Sequence, residues 1–288
     1  EADTYDGNFT VDAITQDNIH DAVALWLADE ASAAALYGHI SQWDVSTVTD
    51  MSNLFREATN FNGDLSSWDV SSVTSMAGMF FGAEQFEGDL SLWDVSSVTS
   101  MVNMFREATN FNGDLSSWDV SSVTNMGYLF LGTTFNQPLD AWDVSNATSM
   151  EAMFMESQFN QPLDGWNTSN VVNMSHLFQS GQFNQDISSW DVSSVETFKK
   201  CFYYNDAFSQ DLSIWNTSSA SDFHQFFYSA DQIDFDLGGW DVSHVLYMQG
   251  MLHGTSMSIA NYDATLIGWA GQAVQPDVEF GATAQYCS

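Results

Sequence analysis

Tryptophan recurs at positions 43, 68, 93, 118, 142, 166, 190, 215 and 240, at intervals of 24 or 25 residues. Each lies in the same phrase, Leu-Ser-Ser-Trp-Asp-Val-Ser-Ser-Val-Thr-x-Met-x-x-Met-Phe-x-x-Ala-x-x-Phe-Asn-x-Asp, and the copies at 61–77 and 111–123 are nearly identical. Nine copies at one period restrict the chain to stacked-repeat architectures. A unit this short cannot bury its own hydrophobic face, so each copy needs neighbours and the two ends need covers.

The unit reads as one short strand and one short helix. Trp68 and Val70 alternate with Asp69 and Ser71, the period of a strand with one buried and one solvated face. Thr74 stands where a helix N-cap would, and Met76, Met79 and Phe80 follow at helical spacing. Ala83 and Phe86 close the core, and Asn62-Gly63 or Asn112-Gly113 turns the chain back. The expectation is an α/β fold, a right-handed leucine-rich-repeat-like solenoid of nine coils, roughly 40 Å long at about 4.8 Å per strand. Residues 1–40 are expected as an N-terminal helical cap, with a helix carrying Ile19, Ala22, Val23, Trp26 and Leu27 and an alanine-rich turn at 31–36. Residues 41–258 hold the coils, and 259–288 a divergent final coil.

Charge narrows the partners. The chain has 38 acidic residues against Arg56, Arg106, Lys199 and Lys200, a formal net of −34. Nucleic acid and anionic membranes, which need Lys and Arg, are excluded on this balance. Self-repulsion of this size calls for screening salt or bound cations. The two cysteines, Cys201 and Cys287, form no zinc-type cluster. A disulfide between them would span about three repeats, and nothing in the pattern supports it. No run of 18 apolar residues marks a membrane span. The chain opens on Glu-Ala-Asp-Thr without a signal-like segment, so the expectation is a mature secreted form whose anchor lies elsewhere.

Three phrases carry a family resemblance: Trp-Asp-Val-Ser-Ser-Val-Thr-x-Met-x-x-Met-Phe, Phe-Asn-x-Asp-Leu, and the closing Asn261-Tyr-Asp-Ala-Thr-Leu-Ile-Gly-Trp with Val278-Glu-Phe-Gly-Ala. Over residues 40–288 the chain resembles the bacterial-surface-protein repeat family, the BspA-like or DUF285 repeats. The phrases at Ile19–Leu27 and Tyr37–Ile40 resemble versions from marine algae. The resemblance implies a secreted or surface-displayed, leucine-rich-repeat-like and adhesive protein, and it brings no established catalytic residues.

The conspicuous columns have bland and functional readings side by side. Asp44, Asp69, Asp94, Asp119, Asp143, Asp191 and Asp241 share one repeat position, interrupted by Asn167 and Asn216. Stacked about 5 Å apart they could hold a Ca²⁺ ladder; alternatively each accepts hydrogen bonds from the serine two residues on and fixes a turn. Asn keeps such a turn and loses the charge, which favours the turn. A second column, Asp64, Asp89, Asp114, Asp186, Asp211 and Asp236, gives way to Pro138 and Pro162, and a turn tolerates that better than a metal site would. The Met and Phe columns read as core, with Cys201 in a core Met position. The six histidines occupy unrelated repeat positions and no unique catalytic group stands out, so no enzyme is expected. Sequons at Asn8, Asn146, Asn167, Asn173 and Asn216 are candidate N-glycosylation sites. The expected function is adhesion to a protein or glycan, or self-assembly into a filament or sheath, through the Asp/Ser face. A Ca²⁺-stabilised module is the alternative, and an ice- or mineral-binding surface a weaker one.

Overall fold

The computed structural model describes residues 11–282. Two helices open it, α1 (Ile19–Ala28) and α2 (Glu30–Tyr37), followed by a 3-10 turn at Ile40–Gln42. Strand β1 (Met248–Leu252), helix α3 (Ile259–Ala270) and strand β2 (Phe280–Ala282) close it. Among the described residues no helix is long and apolar enough to cross a membrane.

Between the ends, the copies stack directly on one another. Asp50, Ser75, Ser100, Asn125, Ser149, Asn173, Thr197, Asp222 and Tyr247 form a continuous row of parallel bridges, one residue per repeat. The core is a set of columns. Phe55, Phe80, Phe105 and Phe130 stack with ring centroids 5.5–5.8 Å apart, and Phe86, Phe111 and Phe135 form a second column at 5.9–6.1 Å. Every repeat tryptophan from Trp68 to Trp240 donates its Nε1 hydrogen to a Leu or Ile carbonyl of the preceding repeat at 2.8–3.1 Å. Buried indole nitrogens therefore knit neighbours together while satisfying themselves.

The expected strand and helix do not form within the repeat. Around Trp68 the chain makes two tight turns instead: the Trp68 amide donates to the Leu65 carbonyl, and the Val73 amide to that of Val70. Trp68 and Val70 are buried and Asp69 exposed, as alternation requires, yet these three residues between the turns belong to no strand. From Met76 onward, successive amides divide their partners. Those of Met76, Gly78, Phe80 and Gly82 reach carbonyls of the next repeat at 2.8–3.2 Å, whereas Met79, Phe81 and Ala83 bond three residues back in their own repeat. A helix is ruled out by backbone sign. Gly78 and Gly82 have φ of +65° and +69°, and the equivalent Asn53, Glu57, Asn103 and Glu107 are left-handed too. An L-residue helix cannot contain such positions. Thr74 is accordingly no helix cap; its amide and hydroxyl both donate to the Thr49 carbonyl of the previous repeat.

Side chains close the two ends of the stack. The Gln16 carboxamide oxygen accepts the amides of Thr49 and Asp50, and its nitrogen donates to the Asp50 carbonyl. At the far end Gln272 accepts the Val242 amide and donates to the Trp240 carbonyl, while Trp269 of α3 continues the indole pattern onto Leu237. The closing segment thus contains a full helix before β2 pairs in parallel with β1.

Candidate interaction surface

The aspartate column closes turns. In Asp44, Asp69, Asp94, Asp119, Asp191 and Asp241, Oδ1 accepts the amide of the serine two residues on at 2.9–3.1 Å and that serine's hydroxyl at 2.6 Å. Asp143 accepts the Ser145 amide at 3.0 Å. Asn167 and Asn216 make the same turn through Oδ1 to Ser169 and Ser218. The serine hydroxyl, then the serine amide, holds the carboxyls of Asp44, Asp94, Asp143, Asp191 and Asp241 below their ordinary range. The second column closes turns in the same way, each Oδ1 accepting the amide two residues on, from Asp64 with Ser66 to Asp236 with Gly238. One oxygen of each carboxylate is therefore engaged within its own turn. Among the described residues no group of three or more His, Cys, Asp or Glu side chains is placed to hold a metal ion.

The varied surface lies elsewhere, on the outward positions of the ladder segment that follows each row residue. In the first repeat these are Ser52, Asn53, Arg56 and Glu57, and in the seventh Lys199, Lys200, Tyr203 and Tyr204. All four cationic side chains of the chain fall on this face. So do His176, His224 and His253, which share no column but share the face. Turn geometry brings together what helical numbering scatters, and the Asn and Gly residues at the left-handed positions were the available signal.

The face is structured. Arg56 and Arg106, from the repeats on either side, both lie over the Phe81 ring, their guanidinium carbons 4.1 and 5.0 Å from its centroid, and Arg106 also approaches Tyr128 at 5.9 Å. The Tyr128 hydroxyl donates to Glu151; partial burial and then this carboxylate push the phenol up to about 12. Further along, Tyr203, Tyr228 and His253 stack at 5.2 and 4.7 Å, with Lys200 Nζ 4.8 Å from the Tyr203 ring. Burial, reinforced by Lys200 and Lys199, outweighs the Gln179 hydrogen bond and keeps the His176 imidazole below its ordinary value.

The remaining predicted positions are quickly placed. Asn167 and Asn216 are exposed; Asn146 donates to the Ser121 carbonyl and Asn173 to Glu151. Asn8 and Cys287 lie outside the described residues. Cys201 is buried in a Met column, and burial pushes its thiol well up.

A family model described as "Mycoplasma protein of unknown function, DUF285" matches residues 27–134, 88–182, 116–203 and 155–265. No curated protein matches the chain.

Proposed function

Because the chain belongs to the DUF285 repeat family, we propose that it is a non-catalytic, secreted or surface-displayed binding module. Its nine repeats make a right-handed solenoid closed by caps that, among the described residues, span 11–40 and 259–282, and it adheres to other macromolecules through the varied ladder face. One observation carries this reading: a chain of net charge −34 gathers every Arg and Lys onto that face. Burying carboxylates against a partner is costly, and interface cores are depleted in Asp and Glu and enriched in Tyr and Arg. The uniform Asp/Ser turns, in contrast, spend their polar groups on holding the backbone.

The test uses a bulky maleimide adduct on a single new thiol, in a Cys287→Ser background. Tyr204→Cys places it on the ladder face and Ser72→Cys on the turn face, both exposed positions. Retention is measured on immobilised matrix proteins and polysaccharides. The ladder adduct should abolish retention and the turn adduct preserve it; the opposite pattern, or equal effects, overturns the reading.

A further inference from the structure

We propose that the outward ladder positions of the sixth to ninth repeats form a track for an extended acidic polysaccharide, lying along the stack axis. This rests on the ladder face being the contact surface and names what it contacts.

The track carries cations and neutral polar groups and no carboxylate at its ladder positions. From Ser175 to Gly254 its outward positions include Lys199, Lys200, His176, His224 and Tyr228 and not one carboxylate, in a chain with 38 acidic residues. The flanking carboxylates are Glu151 and Glu156 in the fifth repeat, Asp206 and Asp231 in the turns beyond the ladder segments, Asp222 in the bridge row, and Asp277 and Glu279 at the far end, where Glu279 accepts from Gln249. A neutral sugar presents hydroxyls that donate as well as accept, and Asp and Glu would be the strongest takers of the donated hydrogens. A uronate or sulfate presents acceptors, which ammonium, imidazole and phenol groups match.

The spacing is that of a linear polymer. The parallel bridges Asn173–Thr197–Asp222–Tyr247 advance one repeat at a time, about 4.8 Å each, and a pyranose ring is similar in length. Tyr204 adds an apolar contact. The residue is 47% exposed and its ring is inclined at 75° to Tyr203 and 50° to Tyr228, outside their stack and open to the C–H face of a sugar.

Other polyanions fit less well. Duplex DNA carries a charge about every 1.7 Å, and two lysines against −34 do not neutralise it. A second copy of this chain offers carboxylates whose Oδ1 already accepts a serine amide. A polyuronate has at most one charge per sugar, and each is free to accept.

The full chain is titrated with polygalacturonate, dextran sulfate and neutral dextran at about 0.15 M salt, where long-range repulsion is screened beyond about 8 Å. The diagnostic variant is Lys199→Gln with Lys200→Gln. Gln225 holds the position of Lys200 in the next repeat with the same left-handed backbone, φ 53° against 55°, so folding is preserved and melting verifies it. Ser72→Glu with Ser97→Glu makes the same change in net charge on exposed turn positions. At least one polyanion should bind and dextran should not. The lysine pair should weaken binding by roughly tenfold, and the serine pair should leave it nearly unchanged. Absence of binding to both polyanions, equal binding of dextran, or equal weakening by the two pairs overturns the proposal. If both polyanions fail while the Tyr204 adduct still abolishes retention on a matrix protein, this inference falls and the function proposed above stands.

Discussion

At the scale of single residues, the repeat is held by short polar contacts that two residue types can make. Asp94 closes its turn through Oδ1 to the amide and hydroxyl of Ser96. Asn167 closes the same turn with its amide oxygen. Asp94→Asn should therefore leave the melting temperature almost unchanged, and Asp94→Ala should lower stability by about 1 kcal/mol or less, because the site is exposed. Thermal melting of the two variants separates a turn-closing role from one that needs charge. Much at this scale was legible in the sequence. The alternation of Trp68, Asp69 and Val70 gave the buried and exposed sides, and the Met spacing gave the core position of Cys201. The reason is that burial follows side-chain chemistry directly.

At the scale of elements, legibility failed because spacing does not report backbone sign. Met76, Met79 and Phe80 fall on one face of a helix, but a run of tight turns with left-handed residues four apart buries the same three. The distinguishing trace is the recurrence of Asn and Gly at 53, 78 and 103, residues that adopt positive φ at low cost. Without it His176, His224 and His253 fall at unrelated repeat positions, whereas they share one face with the four cationic side chains. Where a less suitable residue sits at such a position, strain is stored. Ala152 is left-handed at φ 51°, and an alanine there costs on the order of 1 kcal/mol relative to glycine. Ala152→Gly should raise stability by about that amount in urea unfolding. A loss of stability would mean that its buried methyl outweighs the strain.

At the scale of the whole molecule, electrostatics and turn chemistry oppose each other as pH falls. Protonation of carboxylates as pH falls relieves self-repulsion. The capped aspartates have lowered folded values, so their stabilising contribution is present above the unfolded pKa and is lost only as pH falls through the folded one. At low salt the melting temperature should rise from pH 7 toward about pH 4.5 and then collapse below about pH 3. About 1 M salt, with a Debye length near 3 Å, should remove the rise and keep the collapse. Ca²⁺ and Mg²⁺ at matched ionic strength should shift melting equally; a larger shift with Ca²⁺ would restore the carboxylate ladder as an ion site. Calorimetry across this grid of pH and salt checks all three outcomes.

The tryptophan column has a consequence of another kind. Trp43 and Trp68, Trp166 and Trp190, and Trp215 and Trp240 stack with centroids 6.1–6.3 Å apart. Indoles this close share an excitation, which will hop from one to the next before it is emitted. The paired rings lie only 6–18° from parallel, so a hop between them turns the emission direction little, and ultraviolet fluorescence from the folded chain should keep its anisotropy in a rigid glass. The core thus holds tryptophan pairs that pass light energy along the stack axis with its polarisation kept, and a fall in fluorescence anisotropy in the glass would report rings turned out of parallel.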